Sequence, residues 1–275
     1  MTQLAMAWLY EVMVVLYATG IVFYFIDFFY KRIKIRRIAF WLISLVWILQ
    51  TSFLLLNIIE TKRFPILSLT EGIYFYAWLL VTFSIILHCI ARVDLPVFFI
   101  NVLGFIFVTI HLFAPDRVEH SLVQSLESEM LFIHITFAIL SYVAFSISFV
   151  FSILYLILYR LLKEKKYTKL WSRLPSLHQM SKWMFYSILA GVPMIFISLL
   201  LGVEWAFLQL EGLSMLDIKI VGSFIITIIY LIVLVLHHGG KVTGLKFAWA
   251  QIYTFLLVVI NFFLGSKLSN FHFWY

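Results

Sequence analysis

MLFIHITFAILSYVAFSISFVFSILYLILYR, residues 130–160, carries one fixed charge, Arg160 at its end, and one group that titrates near neutrality, His134. A helix of that length is about 45 Å long, more than the roughly 30 Å hydrocarbon core of a bilayer. In lipid every backbone polar group must be satisfied within its own segment, so the stretch predicts a membrane-spanning helix. Its apolar residues run continuously and do not alternate as strands of an outer-membrane barrel would.

The same reading extends over the chain. Of its 275 residues 64% are hydrophobic, 19% aromatic and 12% charged, where a soluble domain has about 25% charged. Further spans are expected at 7–29, 38–60, 71–91, 95–114, 183–203, 216–238 and 247–268. Together they predict an all-α, polytopic integral membrane protein of eight helices in one bundle, residues 1–275 forming a single domain. The first span lacks the basic start, short apolar centre and small-residue cleavage site of a removable signal, so it is expected to be a mature helix. Pro193 should kink the sixth span.

The net charge of +7 is unevenly distributed. Most Lys and Arg fall in the loops after spans 1, 3, 5 and 7, including Arg36, Arg37, Lys163, Lys165, Lys182 and Lys241. The positive-inside rule makes those loops cytoplasmic and puts both termini outside the cytoplasm. A membrane-sided excess of this kind accounts for the basicity without a nucleic-acid partner. The basic, partly aromatic segment 161–182, broken at Pro175, fixes topology or docks an anionic lipid or an acidic partner.

Several chemistries are excluded by motif. Cys89 is the only cysteine, so there is no internal disulfide, Cys-x-x-Cys redox pair or thioether attachment of haem. His-Glu-x-x-His, Gly-x-Ser-x-Gly and a glycine-rich phosphate loop are all missing. No fixed repeat and no paired broken helices point to a secondary transporter.

Eight histidines remain as the unusual feature. Ionisable groups at membrane depth are costly and mark function. His88 and the adjacent His237 and His238 fall near inner helix ends; His111, His134 and His272 fall near outer ones, and His120 lies in the loop between. His237 and His238 are about 100° apart on a helix, so one at most faces a given cofactor. Neutral imidazoles from different helices suit a metal or a haem. Trp205, between Glu204 and Ala206 at the outer end of span 6, either joins the interfacial aromatic belt or forms an apolar wall against a porphyrin. His120 and His178 read as loop residues.

These residues resemble the cytochrome c assembly family of haem-handling membrane proteins, over nearly the whole chain. Pro65-Ile-Leu-Ser-Leu-Thr-Glu71 followed by Ala77-Trp78 is similar to the family's Pro-x-Ser-x-x-Glu opening of a span. His134 through Tyr142 resembles its first external histidine helix, and Leu177 through Gly202-Val-Glu-Trp205-Ala206 the run into its external loop. The resemblance implies haem contacts, including axial ligation of iron, at His134, at His237 or His238, and at His272 after Asn261-Phe-Phe-Leu-Gly265. His88 has no family counterpart and is a candidate from depth alone. The family's tryptophan-rich outer loop is replaced here by Leu210-Glu-Gly-Leu-Ser-Met-Leu-Asp217-Ile-Lys219, which keeps Asp217 and Lys219 but loses the aromatic platform.

The implied function is a non-enzymatic protein of the bacterial plasma membrane that binds b-type haem without covalent attachment. The branch of Gram-positive bacteria lacking that loop implies an accessory, negative role in haem biosynthesis tied to the level of glutamyl-tRNA reductase. A haem-delivery subunit in cytochrome c assembly, working with other assembly proteins, is the alternative; a small-molecule transporter is the third.

Overall fold

The computed structural model describes residues 3–30, 32–91, 93–113, 129–165, 173–209 and 217–265. They form eight helices long and apolar enough to cross a membrane, with no strand among the described residues. In chain order these are α1 (Gln3–Tyr30), α2 (Ile33–Thr61), α3 (Leu69–Ala91), α4 (Asp94–Phe113), α5 (Glu129–Lys163), α6 (Leu177–Gln209), α7 (Ile218–His238) and α8 (Gly244–Ile260). A π-turn, Asn261–Gly265, extends α8.

The exposed surface is apolar. Trp41, Ile59 and Ile90 are about 70% exposed, whereas Gln50, Asn101, Ser141, Ser152 and Gln251 are buried. Water would penalise that arrangement and lipid favours it, because lipid leaves polar groups to find partners inside the protein. The chain is a multi-pass membrane protein.

The helices fall into two compact units, residues 1–116 and 117–275. In the first, α1 packs on α2 and α4, and α3 on α2 and α4. Aromatic side chains supply several of the polar bonds between helices: the Tyr10 hydroxyl donates to the Val108 carbonyl (3.0 Å), the Trp47 indole to Thr82 (2.8 Å) and the Trp78 indole to Thr51 (2.9 Å). Gly104 leaves room for the Tyr17 hydroxyl, which a Cβ there would meet at 2.6 Å; that hydroxyl donates to Asn101 Oδ1 at 3.3 Å. In the second unit the long hairpin of α5 and α6 carries the largest share of the packing, and α7 and α8 close against it. Small residues let α5 approach its neighbours: Ser148 and Ser152 are buried, with the Ser148 hydroxyl at Gln251 Oε1 of α8 (3.1 Å) and that of Ser152 at Met184 Sδ of α6 (2.9 Å).

Helix starts follow local capping rather than hydropathy. Ser68 and Glu71 bond reciprocally, backbone N–H of Glu71 to Ser68 Oγ and backbone N–H of Ser68 to Glu71 Oε2, both 3.1 Å, and α3 begins at Leu69. Ser176 and Gln179 make the same box at 3.2 Å each way, so α6 begins at Leu177, six residues before the apolar run. His178, expected in a loop, therefore lies in the first turn of α6. The helix continues through Pro193. Ser176→Ala should lower the stability of the second unit by about 1 kcal/mol, read from thermal unfolding in detergent. Ser176→Asp should recover most of that loss; equal melting of all three proteins would show that the box does not matter.

Candidate functional site

His134 lies in the second turn of α5 and meets the last third of α6. Its Nδ1 is 2.6 Å from the carbonyl oxygen of Ser198. A carbonyl only accepts, so Nδ1 carries the proton and Nε2 the lone pair. The Ser198 hydroxyl, 3.1 Å from Nδ1, donates to the carbonyl of His134 at 2.8 Å, tying the two helices in both directions. Gly202, one turn after Ser198, is where the ring rests: a Cβ there would overlap the imidazole and lie 2.5 Å from Nδ1. No described residue bonds to Nε2.

Ser198, Gly202 and Trp205 recur at helical spacing on one stripe of α6. Trp205 is 8% exposed, and its indole nitrogen is buried with no acceptor among the described residues. From α7, Lys219 is half-buried and close enough to act electrostatically on His134. Asp217 caps α7 by accepting the backbone N–H of Lys219 at 2.9 Å. At this same end Asn261 donates to Ser223 (2.9 Å) and lies against Gly222, which pins the π-turn to α7. His272 lies outside the described residues.

At the other end of the second unit, His237 repeats the arrangement. Its Nδ1 is 2.8 Å from the Val242 carbonyl, so the proton again sits on Nδ1. The ring stacks on Phe247 of α8 with centroids 3.7 Å apart, and Phe185 of α6 borders it at 5.5 Å. His238 is exposed, with the Phe185 ring 6.5 Å from its own. Both rings border Phe185, but His237 alone of the two has the Val242 bond and the Phe247 stack among the described residues, so the local packing favours His237 as the one that is held.

In the first unit, His88 near the end of α3 stacks on Phe40 of α2 at 4.4 Å. Its Nδ1 is 4.0 Å from the Asp94 carboxylate, whose other oxygen takes a 2.6 Å bond from Arg36. His111 lies against the rings of Tyr10 and Tyr74 at 5.1 and 5.2 Å. His120 lies outside the described residues. No three His, Cys, Asp or Glu side chains converge on one point among the described residues.

The partners of these histidines escaped the sequence reading. Ser198 and Gly202 are more than sixty positions from His134. One signal was present: small residues four apart, followed three later by a tryptophan, mark an α6 stripe on which something is seated closely. Asp94, one residue before the expected span 95–114, opens α4 and lies beside both Arg36 and His88.

Residues 66–272 match the family described as cytochrome C assembly protein. The chain is 45% identical over 273 residues to Protein HemX of Bacillus subtilis (strain 168), covering 99% of both chains. It is 36% identical over 268 residues to Protein HemX of Brevibacillus brevis, covering 98% of both. The matched region begins one residue after Pro65 and ends at His272. A bacterial multi-pass membrane chain with His134 and His237 seated at opposite ends of one helical unit therefore belongs to the cytochrome c assembly protein family.

Proposed function

We propose that this is a HemX-like, non-enzymatic membrane protein that binds b-type haem and acts as an accessory, negative regulator of haem biosynthesis through the level of glutamyl-tRNA reductase. One observation carries the haem reading: His134 and His237 both give Nδ1–H to a backbone carbonyl. That bond fixes the tautomer and orientation and leaves Nε2 as the donor to a metal, the arrangement metal-ligating histidines use. The residues fit the group. Each ring is held on one side by a carbonyl, with Phe185 and Phe247 bordering His237 and the backbone of Gly202 beneath His134. Haem, when bound, would supply an iron centre that accepts these nitrogens. His272 would serve with His134, and His88 remains a candidate for an inner haem.

The missing tryptophan-rich loop favours regulation over delivery to an apocytochrome. With both termini outside, the basic segment 161–182 faces the cytoplasm, where a soluble partner would read haem occupancy. Such a readout requires the two conformations to differ in haem affinity.

The test is spectroscopic. Full-length protein purified from membranes should show a Soret band or acquire one from added haemin. His134→Ala and His237→Ala should each remove a distinct part of it, and His238→Ala should remove little. A colourless protein that takes up no haemin would end the haem reading. Deleting the gene should raise glutamyl-tRNA reductase with normal cytochromes; loss of holocytochrome c would instead make the protein a delivery subunit.

A further inference from the structure

We propose that Trp205 and Lys219 anchor a carboxylate of the porphyrin whose metal His134 ligates, so that this end of the second unit selects the free acid of the porphyrin over its esters. The proposal rests on the haem reading above and adds the chemistry by which the ligand's acidic edge is held.

The indole N–H of Trp205 can only donate, and it is buried without an acceptor among the described residues. Buried polar groups in native proteins are nearly always satisfied, so an orphan donor beside a candidate ligand site calls for an acceptor from the ligand. Its position agrees. Side chains on a helix lean toward its N-terminus and cover the preceding turn. Trp205 therefore lies over the turn of Gly202, on which the His134 ring rests.

The second donor comes from a different helix. Lys219 brings a cation within electrostatic reach of the same histidine. Asp217 also acts on that cation, while its carboxylate accepts the backbone N–H of Lys219. A ligand carboxylate thus competes with Asp217 for the ammonium but has the indole N–H to itself. Charge-assisted bonds of this kind are the stronger class. An ester keeps the carbonyl acceptor and loses the charge, so it should discriminate sharply between an anchored and an unanchored edge.

The experiment uses the full chain in a neutral detergent and two probes, metal-free protoporphyrin and its dimethyl ester, with binding read from porphyrin fluorescence. Neither probe offers a metal to His134, so the measurement isolates the anchor. The free acid should bind about tenfold more tightly than the ester. Lys219→Met and Trp205→Phe should each bring the ratio toward one, and Lys219→Arg should restore it. A ratio near one in the unsubstituted protein, or a preference that survives both substitutions, overturns the proposal. So does displacement of the free acid by phosphatidylglycerol at equimolar amounts, which would make a lipid headgroup the occupant. Failure of ligation is distinguishable: iron protoporphyrin that binds with the same acid preference but shows no spectral change in His134→Ala sinks the axial role and leaves the anchor standing.

Discussion

Replacing Gly202 with valine should weaken haem binding at the α5–α6 histidine by about 10–100-fold, the usual effect of disturbing the group that orients a metal-binding imidazole. A Cβ at this position would overlap the ring of His134 and lie 2.5 Å from Nδ1 and 3.1 Å from Nε2. The imidazole is rigid, so it must swing away as a whole. Its other side is fixed by Nδ1–H to the Ser198 carbonyl at 2.6 Å and by the Ser198 hydroxyl to the His134 carbonyl at 2.8 Å. Swinging away breaks the first of these bonds and releases the tautomer. Staying forces α5 and α6 apart along the most extensive interface of the unit. Either response should also lower stability by about 1–3 kcal/mol, as overpacking does. Haemin titration separates the outcomes, because the Soret change should be lost at the His134 site and kept at His237. A valine variant that titrates like the unsubstituted protein would show that the ring is not seated on Gly202 when haem is bound.

That dependence on a glycine far along the chain marks where sequence reading stops. The eight helices were legible because lipid imposes one demand on every span, continuous apolarity, and residues 130–160 or 216–238 satisfy it without any partner. Ends were less legible because they are set by caps. The Ser176 and Gln179 box starts α6 six residues before its apolar run and draws His178 into the helix. Depth along a helix follows from numbering, so His134 and His237 could be singled out early. What surrounds them depends on the rotation of one helix against another, which apolar spans encode weakly. Nothing near His134 announces Ser198, and nothing near His237 announces Phe185. The difference between His237 and His238 is likewise invisible in the sequence: the Val242 carbonyl and the Phe247 ring hold the first, and the second is exposed.

The second large effect is expected in the first unit, at Glu71. Its carboxylate takes both guanidinium nitrogens of Arg63, at 2.7 and 3.1 Å, and the backbone N–H of Ser68 at 3.1 Å, while Ser68 returns the bond to the backbone N–H of Glu71. The pair is about 15% exposed on each side. Glu71→Ala removes a helix cap and leaves the largely buried Arg63 cation without its carboxylate. Breaking a buried pair from one side costs about 3–5 kcal/mol; the residual exposure here reduces that to roughly 2–4 kcal/mol. Glu71→Gln keeps the Ser68 bond and one acceptor for Arg63, so it should lose less than half as much. The decisive variant is the double substitution Arg63→Leu with Glu71→Ala. It removes the stranded charge along with its partner, and it should be more stable than Glu71→Ala alone, since the larger part of the penalty is the uncompensated cation. Thermal unfolding in detergent gives the order. If the double variant melts below the single one, Arg63 contributes through packing and not through its charge, and the motif Pro65 to Glu71 holds the α2–α3 connection by its cap alone.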